Sequence, residues 1–248
     1  MSAADKRLDQ LLVERGLVET RARAQAVILA GEVWSGDKRL DKAGQRLADD
    51  TPLEVKVRDH PFVSRGGLKL DHGLTHFHVD PMDKIALDIG ASTGGFTDVL
   101  LSRGARKVYA VDVGHGQLAW KLRQDGRVAV LEKFNARHLT AEQIPEPVDL
   151  IVCDASFIGL EVVLPASLAL AAPAAELVAL IKPQFEVGKG RVGHGGVVRD
   201  PALHEEVCAR IAAWLGKQPG WRVLGVTPSP IRGPDGNIEF LIGARHAA

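Results

Sequence analysis

Two lysines and two carboxylates stand in this chain where packing alone would not put them. Lys69 opens a helical stretch, Asp154 closes the apolar run VDLIVCD, Lys182 closes ELVALIK, and Glu239 lies in the segment GNIEFLI, read as a final strand. In an open sheet the carboxyl ends of parallel strands line the ligand crevice, so Asp154 and Lys182 would face a bound molecule from two strands. Such a set can hold and activate a hydroxyl. A hydroxyl is a poor nucleophile while protonated, and a lysine whose pKa is lowered by burial and by a second cation can take its proton. Lys182 would then be the base and Lys69 the second cation, with Asp154 and Glu239 holding the ammonium groups. Two other readings stay open: Lys182 only orients the hydroxyl, or Lys182 and Glu239 form a salt bridge that closes the sheet edge.

The molecule in that crevice is suggested by the run Ile85 to Leu100, IALDIGASTGGFTDVL, followed by VYAVDV at 108–113. The pattern is an apolar strand, a glycine-rich turn, a helix and a second strand with an acid at its end, which describes a nucleotide pocket. Small residues at Gly90, Ala91, Gly94 and Gly95 let a ligand approach the backbone, and Asp112, about 20 residues on, can accept from ribose hydroxyls. Ser92 occupies the register where a dinucleotide fold keeps its second glycine, so a pyrophosphate fits poorly. Asp88, at the mouth of the turn, adds a negative charge that favours a cationic ligand. S-adenosylmethionine (SAM), with a sulfonium, an ammonium and no phosphate, suits this pocket.

The surrounding elements alternate. Strands are predicted at 85–89, 107–113, 127–132, 148–153, 176–182, 221–227 and 237–243, most of them separated by helical stretches. This describes an α/β fold, a doubly wound and mostly parallel seven-stranded Rossmann-like sheet, with the last two strands as an antiparallel hairpin at or near the edge. Ahead of it, residues 6–59 form a small α+β unit. Leu8, Leu11 and Leu12 mark one helix ended by Gly16, Thr20 caps a second at Arg21 to Ala30 closed by Gly31, and short strands follow at Val33 and at Leu53 to Val57. The expected division is a small α+β domain at 1–59, a stiff linker at 60–63 around Pro61, and the α/β domain at 64–248. His72, His76 and His78 lack a cysteine or carboxylate to complete a metal site and are expected to face solvent.

Bulk composition narrows the function classes. With 31 basic and 31 acidic residues the net charge is zero, so any nucleic-acid site is a local patch. Two cysteines exclude a disulfide framework. The longest apolar candidate span, Val162 to Ile181, is broken by Pro165, Pro173 and Glu176, and the first residues lack the layout of a signal peptide. A cytoplasmic protein with no membrane contact, no metal and no stable protein partner is expected. The glycine-rich run QFEVGKGRVGHGGVV at 184–198 lacks the Ser or Thr of a Mg-nucleotide loop. It reads as a mobile lid whose Lys189 and Arg191 can meet phosphates, or as an ordinary flexible loop.

Two resemblances sharpen these readings. The stretch RLDQLLVERGLVETRARAQAVILAGEVWSGD resembles the small RNA-binding domain named after ribosomal protein S-four, in which the face of the second helix grips phosphates. That resemblance implies RNA contact by Arg7, Arg21, Arg23, Lys38 and Arg39, although residues 1–70 hold 13 basic and 11 acidic side chains and a plain solvated face would look the same. The Lys69, Asp154, Lys182, Glu239 set resembles that of the FtsJ-like ribose 2′-O-methyltransferases. The segments SRGGLKL, LDIGASTGGFTDVLL, CDASFI, IKPQFEVGKG, GGVVRDP and GNIEFL extend the likeness along residues 6–243 to the TlyA family, which joins an S-four-type domain to such a methyltransferase. It implies SAM-dependent methylation of cytidine 2′-hydroxyls in ribosomal RNA, with ribosomal RNA or ribosomal subunits as the partner.

Rival chemistries fit the residues less well. Base-carbon methylation commonly needs a cysteine nucleophile, and Cys153, one residue from Asp154 along a strand, should point away from it. Amino-group methylation is suggested by Asp154 to Phe157, DASF, which lacks both prolines of the corresponding motif and leaves Lys182 without a role. A noncatalytic ribosome-assembly protein with a vestigial SAM fold is the alternative from another class. The haemolysin label carried by TlyA-like proteins finds no spanning helix to support a pore.

Overall fold

The computed structural model describes residues 5–29, 31–55, 60–188, 190–233 and 235–247. The chain divides into two compact units, Met1–Pro61 and Phe62–Ala248.

In the first unit β1 (Lys6–Arg7) leads into α1 (Leu8–Glu14), followed by α2 (Arg21–Leu29), β2 (Val33–Ser35), β3 (Lys38–Arg39), β4 (Arg46–Leu47) and β5 (Glu54–Val55). Gly16 turns the chain after α1 at φ 66°. Thr20 caps α2 as expected, its Oγ1 accepting from Arg23 N at 3.2 Å. The strands pair antiparallel as β1–β4 and β3–β2–β5. Leu8, Leu12, Val27, Ile28, Val33 and Leu40 close a small core. Of the strand predicted at Leu53 to Val57, Glu54 and Val55 pair with β2; its end lies outside the described residues.

The second unit runs α3 (Gly66–His76), β6 (Ile85–Ile89), α4 (Gly95–Ser102), β7 (Lys107–Asp112), α5 (Trp120–Arg123), β8 (Val128–Glu132), β9 (Val148–Cys153), α6 (Leu160–Val163), α7 (Pro165–Leu168), β10 (Ala171–Ile181), α8 (Pro183–Glu186), α9 (Pro201–Leu215), β11 (Trp221–Pro228) and β12 (Phe240–His246). Its seven strands lie in the order β11-β12-β10-β9-β6-β7-β8. β12 runs antiparallel to both neighbours, and the other adjacent pairs are parallel. β11 and β12 therefore form the expected hairpin, with β11 at the edge.

The strand period of two sorts side chains between two cores. Ile151, Cys153, Leu177, Ala179, Ile181 and Ile242 join one. Leu150, Val152, Val178, Leu180 and Leu241 join the other, together with Leu70 and Leu74 of α3. Continuing that alternation places Asp154, Lys182 and Glu239 on the α3 side, and Cys153 opposite. Sequence alone cannot show that α3 covers this face.

Three local features differ from expectation. β10 begins five residues earlier than predicted, at Ala171, with an irregularity before Glu176 and Ala174 at φ 60°; Pro173 hides this half-strand from pattern reading. β12 starts at Phe240, so Glu239 lies just before the strand and not inside it. The reason is Asn237, whose Oδ1 accepts from Val198 N at 3.0 Å and whose Nδ2 donates to Gly196 O at 3.0 Å. Phe62, placed in the linker by sequence, is buried in the second core. A Cβ on Gly67 would lie 2.6 Å from its ring, so α3 needs glycine there. Among the described residues no helix is long and apolar enough to cross a membrane.

Candidate active site

The four polar residues gather as two ion pairs. Lys69 Nζ donates to Glu239 Oε2 at 2.5 Å, with both side chains buried. Lys182 Nζ lies 2.6 Å from Asp154 Oδ1. It donates to Asp154 O at 3.2 Å and to Ser156 Oγ at 2.9 Å. The Lys182–Glu239 bridge held open above is not the arrangement found; each lysine takes the other carboxylate.

Asp154 joins two recesses. The larger, about 330 Å³, is walled by Gly90, Ser92, Asp112, Val113, Gln117, Phe134, Asn135 and Asp154 to Phe157, within the range of small-molecule pockets. The second holds Ser64, Arg65, Gly66, Lys69, Ala91 and Gly95, and shares Gly90, Ser92 and Asp154 with the first. The larger recess carries two carboxylates and no lysine, arginine or histidine. That lining repels a pyrophosphate and suits a cation.

The turn between β6 and α4 is built around backbone proximity. Gly90 sits at φ 80°, and a Cβ there would lie 3.0 Å from the backbone of Asp154 and Ala155, so a side chain would pry β6 from β9. Asp112 holds the turn from the next strand: Ser92 N donates to its Oδ2 at 2.8 Å and Gly114 N to its Oδ1 at 2.6 Å. Ser92 itself takes φ 48°. Gly94 lines neither recess; its missing side chain makes room for Leu118 and Leu122.

Asp88 departs from its expected role. It is fully buried behind the turn and is not part of either lining. Thr97 Oγ1 donates to its Oδ2 at 2.6 Å, while Oδ1 has no hydrogen-bond partner among the described residues. Burial, with help from Asp154 and Asp112, pushes its pKa up to about 7. Asp88 lies inside β6, under Thr97 of α4, whereas Asp154 on the same face stands beyond the end of β9 and lines both recesses. Unfolding releases this carboxyl to a pKa near 3.9, so between about pH 4 and 7 the native chain holds a proton that the unfolded chain has lost. Stability therefore falls as pH rises through that window. Asp88→Asn is expected to remove this decline, seen as a smaller loss in melting temperature from pH 4 to pH 8; an unaltered pH dependence in the variant would reject the assignment.

Burial also pushes the Cys153 thiol up to about 12 and the Cys208 thiol up to about 11. Neither is a ready nucleophile. His72 and His76 stack on α3 with ring centroids 5.9 Å apart.

The cations expected to touch RNA are distributed unevenly. Arg7 and Arg21 share Asp9 in the first unit, each at 3.0 Å. Arg23, Lys38 and Arg39 are exposed, the last two on β3. In the lid segment Arg191 is engaged in a two-pronged pair with Glu206 at 2.5 and 2.6 Å. Lys189 lies outside the described residues. Sequence reasoning missed Gln117, Phe134, Asn135 and Phe157 as cavity wall. Phe157 is 90 % exposed at φ 65° and lies 5.0 Å from the Phe185 ring. It stands at the rim of the larger recess, and only its place near Asp154 in DASF hinted at it.

Comparison with known proteins agrees with this geometry. Residues 62–246 match the FtsJ-like methyltransferase family and residues 6–50 the S4 domain. The 16S/23S rRNA (cytidine-2′-O)-methyltransferase TlyA of Mycobacterium tuberculosis is 48% identical over 240 residues, 96% of this chain and 89% of that protein. Hemolysin A of Brachyspira hyodysenteriae is 41% identical over 236 residues, 95% of this chain and 98% of that one. A solved Streptococcus thermophilus structure named for hemolysin superposes with a TM-score of 0.75 at 43% identity, covering 98% of this chain and 89% of its own. With both domains matched in this order and full-length relatives at this identity, the chain belongs to the TlyA family.

Proposed function

We propose that this protein transfers a methyl group from SAM to the 2′-hydroxyl of cytidine in ribosomal RNA, with residues 1–59 gripping RNA and residues 64–248 carrying out the transfer. The observation that carries this reading is that a cation-suited recess and a second recess bearing Lys69 meet at Asp154, beside Lys182. Methyl donor and acceptor need such a shared boundary. The family relatives named for this reaction support the substrate class.

When bound, SAM supplies an electrophilic methyl on a sulfonium. Asp112 has lone pairs left after its two backbone bonds and accepts from ribose hydroxyls. Gly90 and Ser92 form the turn at the shared boundary, while Gln117 and Asn135 offer polar groups elsewhere on the wall. Lys182, held by three oxygens of Asp154 and Ser156, orients the acceptor hydroxyl. Asp154 Oδ1, 2.6 Å away, is the counter-ion that keeps Nζ at the boundary of the two recesses. Lys69, held by Glu239, forms part of the wall of the second recess. Phe157, exposed at the lip, offers a face on which the acceptor base can stack.

Incubation with tritium-labelled SAM and purified ribosomal subunits, followed by nuclease digestion, tests the reading. Label is expected in 2′-O-methylcytidine; label on a base or none at all overturns it, the latter favouring a noncatalytic RNA-binding role. Calorimetry on Asp112→Ala should show SAM binding weakened by about 1 to 3 kcal/mol through lost charge-assisted hydrogen bonds. Unchanged affinity in a folded variant would remove Asp112 from the site.

A further inference from the structure

Asp9 lies in the first turn of α1 with no exposed surface, beneath the face assigned to RNA. Its Oδ1 accepts from Arg7 Nε and its Oδ2 from Arg7 Nη2, both at 3.0 Å. Oδ2 also accepts from Arg21 Nε at 3.0 Å and Gln25 Nε2 at 3.2 Å. The Arg7 guanidinium, with Gln25 and Arg21, holds this carboxyl well below the usual carboxylate range, so it is ionised at any working pH.

The arrangement leaves the arginines both fixed and available. Among the described residues Arg21 bonds Asp9 through Nε alone, and no hydrogen bond engages its Nη groups or Arg7 Nη1. Their side chains are 53% and 38% exposed. An arginine on a flexible stem loses rotamer freedom when it meets a phosphate, and one already held in place loses less. A buried carboxylate paired on several sides is weak evidence for stability as such, because apolar residues of similar volume often replace it without loss.

We infer that Asp9 is a positioning residue, which holds Arg7 and Arg21 in one pose so that both guanidiniums meet the RNA backbone together. The inference rests on the proposal that this unit grips RNA. It opposes simple electrostatics: removing a negative charge from a nucleic-acid face should tighten binding, whereas removing this one should weaken it.

Filter binding of the full chain to purified ribosomal subunits across a salt series separates the two. Asp9→Asn is expected to weaken binding about tenfold, and to make the dependence of log K on log salt shallower by about one for each arginine that no longer meets a phosphate. Binding that is unchanged or tighter in a folded variant overturns the inference. Should Asp9→Asn lower the melting temperature, Asp9→Glu decides: it keeps the charge and shifts the carboxylate by one methylene. Weaker binding with unaltered melting upholds positioning, and parent-like binding rejects it. Arg7→Ala combined with Arg21→Ala tests the underlying reading separately. If that double variant binds subunits like the parent, the RNA assignment of these arginines fails; if it binds weakly while both Asp9 variants bind normally, only the role of Asp9 fails.

Discussion

Lys182→Ala is expected to bind SAM and ribosomal subunits nearly as the parent does, yet to transfer methyl at least about 100-fold more slowly, the scale of losing an acid-base or orienting group. Single-turnover transfer measures the loss, and calorimetry the retained SAM affinity. A rate within a few fold of the parent would take Lys182 out of the reaction. Lys182→Arg then separates the two roles, because arginine keeps the charge and can still orient a hydroxyl but does not deprotonate at working pH. Activity that survives in the arginine variant favours positioning. For the parent, a rate that rises with pH and levels off supports a base, and a flat profile across about pH 6 to 9 rejects one. The three oxygens around Nζ, Asp154 Oδ1, Asp154 O and Ser156 Oγ, hold the ammonium in place.

The Lys69–Glu239 pair is expected to matter twice, for stability and for transfer. Glu239→Ala leaves Lys69 as an uncompensated charge in a buried site, and breaking such a pair from one side costs about 3 to 5 kcal/mol. Chemical denaturation should show that loss. Replacing both partners with apolar residues, Lys69→Met with Glu239→Leu, removes the stranded charge and is expected to recover most of the stability. Methyl transfer should stay low in the double variant, because the second recess then has an apolar wall where Lys69 stood. A double variant as unstable as Glu239→Ala would contradict the charge argument. One that is stable and fully active would make the pair a structural strut with no part in the chemistry.

Much of this was legible in the residues. Alternating apolar runs with strand and helix periods specify a mostly parallel seven-stranded sheet, because buried parallel strands such as LIVC at 150–153 are apolar on both faces. Glycines between an apolar strand and a helix, with an acid at the end of the next strand, specify a nucleotide turn. Lysines and carboxylates at strand ends stand out because burial would not select them. The residues thus specify the sheet, the order of the two domains and four polar side chains that the fold joins as two ion pairs.

Tertiary structure alone decided how those residues combine. Strand parity places Asp154, Lys182 and Glu239 on one face, but only the packing of α3 there brings Lys69 to Glu239 and leaves Asp154 to Lys182. Helix α4, through Thr97, closes over Asp88 and takes it out of the cavity wall, so a carboxylate that reads as a ligand contact becomes a proton-holding group in the interior. Asn237 delays β12 by binding a distant loop, and Arg191 is committed to Glu206 on α9. Each of these outcomes depends on a partner far away in the chain. Local propensity and spacing describe which side chains an element presents; which of them become neighbours is set by how the elements close on one another.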